Sequence, residues 1–382
     1  MLRKVWHLCL TASLLVTVAF ANIAEAASPA IKEEDDGARQ ILQFIKKNPH
    51  KSSLVVSYNG KNVVKHRSSK LMPLASTVKI IVAVTYAKQA AKGKINPNER
   101  IPLTELDKYA IPDLDGGAQA QWLQHLKDNN LIINGTVSLE EVAKGMIGFS
   151  SNANTEYLME RLSIDQINQT FRELGLNKHQ PIYPFYSSLL IPYEIWKTYF
   201  SDQSIQEAMP KIKKKMRSMS LQEHRRWAEK VFAQLMHDRD QRYIKEADIA
   251  SWYDIELDRM FSDRFISSTT SEYVSVMKKL NNRSYYSKKT YKYLIPVMEQ
   301  IMEIPGNNEW LSHAGLKGGS TLYILTQAFY ATDKQGNKTA LAIFFNNLTP
   351  EENSQLQAHL NEFDLRVMTD PQFRKELKTL KS

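Results

Sequence analysis

The chain has 382 residues, Lys and Arg outnumber Asp and Glu by 50 to 41 for a net charge of +9, and there is a single cysteine. One cysteine excludes a disulfide framework, so the core rests on apolar burial, for which this length gives enough residues for one large domain or two lobes. The basic balance suits an anionic cell wall or membrane surface, and the N-terminal sequence argues against nucleic acid as its reason.

Arg3 and Lys4 precede an apolar run from Val5 to Phe20, and Ala24-Glu25-Ala26 follows it. The run is shorter than the roughly 20 apolar residues of a membrane span, and small-x-small is the pattern of a signal peptidase site. Residues 1–26 are therefore expected to be a cleaved signal peptide. The mature chain, 27–382, would be periplasmic or secreted, without its only cysteine, Cys9, and without a membrane span.

Two β-branched runs, LVVSYN and KNVVKH, flank Gly60 and predict a hairpin over residues 54–66. From Ser76 to Ala91 an apolar run free of glycine and proline predicts a buried helix. Short helices are expected at 139–147, 153–162 and 165–174. Residues 201–263 shift in composition, with Lys211-Ile212-Lys213-Lys214-Lys215 and Arg225-Arg226 among Trp227, Phe232 and Leu235, and read as an inserted charged helical segment. Helices follow at 270–280 and 287–304, then strands at 322–331 and 339–346 across a turn, then a helix at 351–367. Strands near both ends with helices between them define an α+β fold (an α/β sandwich). Its antiparallel sheet would come from residues 50–72 and 265–382, and an all-helical lobe from 73–264 would contain the insertion.

Chemistry concentrates at three places. Ser76-Thr77-Val78-Lys79 opens the first buried helix, where a spacing of three brings the amine to the hydroxyl's side and the helix start offers N–H groups to a developing anion. Taken alone, Ser76 reads equally well as a helix N-cap. Ser150-Ser151-Asn152 follows, and Lys317-Gly318-Gly319-Ser320 comes just before a strand-like run. His224, His237 and His313 lack partners at metal-ligand spacing, and Gly318-Gly319 does not lead into a helix as a phosphate loop would, so neither metal nor cofactor is expected.

Ser-x-x-Lys, Ser-x-Asn and Lys-x-Gly in this order resemble the signature of class A β-lactamases and penicillin-binding proteins. The stretches MPLASTVKIIVAVTYAKQ, GTVSLEEVAKGMIGFSSNANTEYLMERL and KGGSTLYILTQAFY are similar to that family's sequence, over about residues 50–200 and 265–366. The resemblance implies a serine hydrolase that forms an acyl-enzyme. Ser76 would be the nucleophile, Lys79 its base, and Ser150 the relay of a proton to the leaving nitrogen. Asn152 would hold a substrate amide, and Lys317 would face the substrate carboxylate. The backbone N–H groups of Ser76 and Ser320 would form the oxyanion hole, with Gly319 beside them. The substrate would be a β-lactam or a cell-wall peptide. Hydrolysis of β-lactams leads, with a D-alanyl carboxypeptidase or a non-catalytic binding protein on the same fold as alternatives.

Three departures stand out. Ser151 replaces the usual Asp, and Gly318 replaces a hydroxyl residue, leaving Ser320 or Thr321 as substitutes. No Glu-x-x-Leu-Asn segment supplies a base for deacylation, and Glu194 is the only acid in PIYPFYSSLLIPYEIWKTYF.

Overall fold

The computed structural model describes residues 36–112 and 114–380; the expected signal peptide lies outside them. Five antiparallel strands form the main sheet: β1 (Ser52–Tyr58), β2 (Lys61–His66), β3 (Leu311–Ser320), β4 (Ile324–Asp333) and β5 (Lys338–Asn346), in the order β2-β1-β5-β4-β3. The two chain ends thus build one sheet, and the fold is the mixed antiparallel type expected. Strand β3 forms an edge and contains the Lys-Gly-Gly-Ser motif; β4 follows the motif as expected, and β3 itself was not expected. It was missed because Gly315, Gly318 and Gly319 dilute the β-branched pattern that marks a strand.

Both faces of the sheet are covered, so β4 and β5 are buried along nearly their whole length instead of on alternate residues. Leu325, Phe329, Leu341, Ile343 and Phe345 face α1 (Gly37–Lys47) and, near the C-terminus, a helix over Pro350–Thr369. Ala328, Tyr330, Ala342 and Phe344 face the larger helical core. Helix α1 starts at Asp36, which caps Arg39 N at 3.0 Å and pairs with Arg366 at 2.8 Å, joining the two outer helices.

The helical side contains α2 (Lys79–Ala91), α3 (Ala118–Asp128), α4 (Leu139–Gly148), α5 (Asn152–Leu162), α6 (Ile164–Glu173) and α7 (Ile191–Tyr199). The charged segment is helical as expected: α8 (Ile205–Ser218), α9 (Leu221–Met236), α10 (Arg242–Ala247) and α11 (Ile255–Arg264). Then come α12 (Thr270–Asn281), packed on β5 and β4, and α13 (Lys288–Met298), packed on α2 and α4. The outer helix at Pro350–Thr369 is α14. The predicted helix 287–304 stops at Met298 and continues as a 3-10 turn over Gln300–Glu303.

Helix α2 is buried almost all round, which explains its lack of a polar face. Among the described residues no helix is long and apolar enough to cross a membrane.

Candidate active site

Ser76 sits in a 3-10 turn, Ala75–Val78, that runs directly into α2 at Lys79. In such a turn residues three apart eclipse, so Ser76 and Lys79 lie on one side. Ala75 enters it at φ +44°, a left-handed backbone that a non-glycine residue adopts only where its surroundings hold it. The hold comes from β4. The Thr326 hydroxyl donates to Leu74 O at 2.7 Å, and the Thr77 and Thr326 hydroxyls are 2.8 Å apart.

Gly319 on β3 passes against the same turn. A Cβ there would stand 2.4 Å from Ser76 N and 2.8 Å from Thr77 N, so only glycine lets the strand approach this closely. Ser320, the next residue of β3, lines the same cavity as Ser76.

Lys79 is fully buried, and its Nζ lies 2.6 Å from Ser150 O, 2.7 Å from Asn152 Oδ1 and 3.3 Å from Ser150 Oγ. Among the described residues no hydrogen bond joins this nitrogen to Ser76 Oγ. Burial, and then the neighbouring Lys317 amine, push Lys79 well below the ordinary lysine range. Ser150 takes φ +63°, which turns both its carbonyl and its hydroxyl toward Lys79.

Asn152 begins α5, and Ser151 caps that helix by accepting Asn154 N at 3.0 Å while donating to Gln119 Oε1. Serine and aspartate are comparable caps, which is why the missing carboxylate leaves the helix start intact. Lys317 is buried with its Nζ 2.8 Å from Gly318 O, and burial lowers its pKa to about 7.

Ser76, Ser150, Asn152, Lys317, Gly318, Gly319 and Ser320 line one cavity of about 410 Å³. Lys79 lies behind Ser150 and Asn152. The motifs are therefore gathered from the helical side and the edge of the sheet. The cavity also takes Asp115, Phe149, Gln300 and Glu303, which sequence reasoning missed because they sit in loops and at helix ends without a motif.

Two candidates fall elsewhere. The Thr321 hydroxyl, a candidate replacement for that missing from Gly318, meets Ser262 Oγ at 2.8 Å, whereas Ser320 faces the cavity. Glu194, the only acid of its stretch, accepts the Tyr243 hydroxyl at 2.6 Å and pairs with Lys230 at 3.0 Å, away from the cavity lining. His224 is buried against Tyr183 and Phe261, and among the described residues no three His, Cys, Asp or Glu side chains gather as a metal set.

Residues 37–305 match the model of the β-lactamase enzyme family, and the chain belongs to that family. Among solved structures it is similar to a β-lactamase from Sphaerobacter thermophilus, with 14% identity over 86% of this chain and 97% of that one and a TM-score of 0.51. The TLA-3 extended-spectrum β-lactamase shares 13% identity over 87% and 99% of the two chains, with a TM-score of 0.50. PBP-A shares 15% identity over 87% and 97%, with a TM-score of 0.47. At these identities the likeness is one of fold. No curated protein matches the chain.

Proposed function

We propose that this chain is an exported serine enzyme that opens β-lactams and related cell-wall amides by forming an ester on Ser76, and that it releases the acyl group slowly. The observation that carries the reading is the close approach of Gly319 of β3 to the Ser76 turn, with Ser76 and Ser320 lining one cavity, which fits an oxyanion hole formed by the Ser76 and Ser320 N–H groups. Two such donors stabilise the oxyanion of acyl transfer.

In this reading Lys79 is the base. As an unprotonated amine it gives its two N–H groups to the short contacts, Ser150 O and Asn152 Oδ1, and turns its lone pair toward the Ser150 hydroxyl. A proton leaving Ser76 then reaches Lys79 through Ser150. Ser76 Oγ bonds to the carbonyl carbon, the carbon–nitrogen bond breaks, and the nitrogen takes its proton back through Ser150. Lys317 attracts the substrate carboxylate, with Ser320 as its hydroxyl partner. Asn152, engaged by Lys79, retains its amide N–H groups for a substrate acylamide.

Deacylation requires water with a base beside it. Glu194 serves Tyr243 and Lys230 instead, so a penicillin-binding type of enzyme, including D-alanyl carboxypeptidase chemistry, fits better than fast β-lactam hydrolysis. Intact-mass analysis after incubation with benzylpenicillin tests the reading. A lasting adduct on Ser76 supports it, and a chain that stays unlabelled with every acyl probe refutes it.

A further inference from the structure

The segment 184–190 reaches Lys79, behind the cavity, through Phe185. Phe185, 5% exposed, lies with its ring centre 6.0 Å from Lys79 Nζ. Beneath the segment is Glu156, fully buried, one helical turn beyond Asn152 on the same side of α5. Its Oε1 accepts the N–H groups of Tyr186 and Ser187, each at 2.8 Å, and its Oε2 accepts the Ser187 hydroxyl. The Tyr186 hydroxyl donates to Ile111 O at 2.8 Å. From outside, α9 of the insertion packs on the turn Ser187–Leu190, and the Tyr183 hydroxyl donates to Arg264 O, at the end of α11, at 3.1 Å.

We propose that Glu156 is a positioning residue which, with the inserted helix α9, pins this segment so that Phe185 closes the Lys79 side of the site to water and prolongs the acyl-enzyme. The inference rests on the acyl-enzyme reading above, and it gives the insertion a role. Hydrolysis needs a water oxygen to bond to the acyl carbon, the bond to Ser76 Oγ to break, and the water's proton to pass to that oxygen through a base. The space beside the Lys79 amine is filled by an aromatic ring. The nearby carboxylate is tied to the loop itself, with three donors of the loop on its two oxygens. An acid here holds the loop instead of being carried by it.

The test compares Phe185→Ala, Glu156→Ala and Glu156→Gln by the half-life of the penicillin adduct, with thermal melts to verify folding. Excluding water is what protects reactive intermediates, so Phe185→Ala and Glu156→Ala are expected to shorten the half-life by about tenfold or more, without adding to each other in the double variant. Glu156→Gln keeps an oxygen for the two N–H groups and stays within about threefold of wild type. Should Glu156→Ala fail to fold, Phe185→Ala, which loses no hydrogen bond, carries the test. A folded Phe185→Ala protein with the wild-type half-life overturns the inference, as does a Glu156→Gln half-life as short as that of Glu156→Ala. A wild-type chain that takes no label overturns the acyl-enzyme reading itself, and this inference falls with it.

Discussion

Gly319 and Ser76 meet backbone to backbone: a Cβ on the glycine would stand 2.4 Å from the serine nitrogen, nearer than any real side chain is tolerated. The neighbours it would meet are main-chain atoms of Ser76, Thr77 and Leu74, so nothing flexible can yield. Gly319→Ala is expected to push β3 off the turn, costing about 1–3 kcal/mol of stability as overpacking does. It should also lower the rate of Ser76 acylation by about 100-fold or more, the scale of losing one oxyanion donor. Thermal unfolding and stopped-flow acylation check the two halves separately.

Lys317 gives a pH dependence. Its buried amine titrates at about 7, below the ordinary 10.5. The charged form faces the substrate carboxylate below about 7 and is lost above it, so the second-order acylation rate of an anionic penicillin should fall as pH rises through about 7. Lys317→Arg, which stays charged, should abolish that alkaline fall; a fall that persists in the variant would assign it to another group. Stability runs the other way. From about 7 to 10.5 the unfolded chain binds more protons at this lysine than the native one, so unfolding free energy should rise with pH there.

Ser151 tests the missing carboxylate. As the buried cap of α5 it accepts Asn154 N and donates to Gln119. Ser151→Ala should cost about 1 kcal/mol from the cap, measured by chemical unfolding, whereas Ser151→Asp should hold the cap.

Glu194 separates fold from chemistry. Glu194→Gln should weaken the buried contact with Tyr243 and Lys230 and lower the melting temperature, while the adduct half-life stays at the wild-type value. A changed half-life would restore this residue as a candidate base.

Much of this was legible where information is local. The β-branched hairpin at 54–66, the apolar α2 and the capped helices after Val137 follow from short-range periodicity and end signals. The spacing of Ser76 to Lys79 and of Ser150 to Asn152 likewise lies within one turn or one loop. What stayed hidden is long-range. Edge strand β3 is too rich in glycine to look like a strand, yet those glycines permit its approach to Ser76. Helix α1 becomes significant only through Arg366 on α14, more than three hundred residues away in the chain. Glu156 resembles any helical glutamate until the loop thirty residues on folds over it.

The most direct measurement is intact-protein mass spectrometry of the chain and its Ser76→Ala variant, followed over time with benzylpenicillin. The account predicts that the wild-type chain gains one penicilloyl group, mapped to the peptide containing Ser76, that the adduct persists long after free penicillin is removed, and that Ser76→Ala gains none. Adduct on Ser76→Ala, or a wild-type chain that turns penicillin over rapidly without retaining it, would contradict the account.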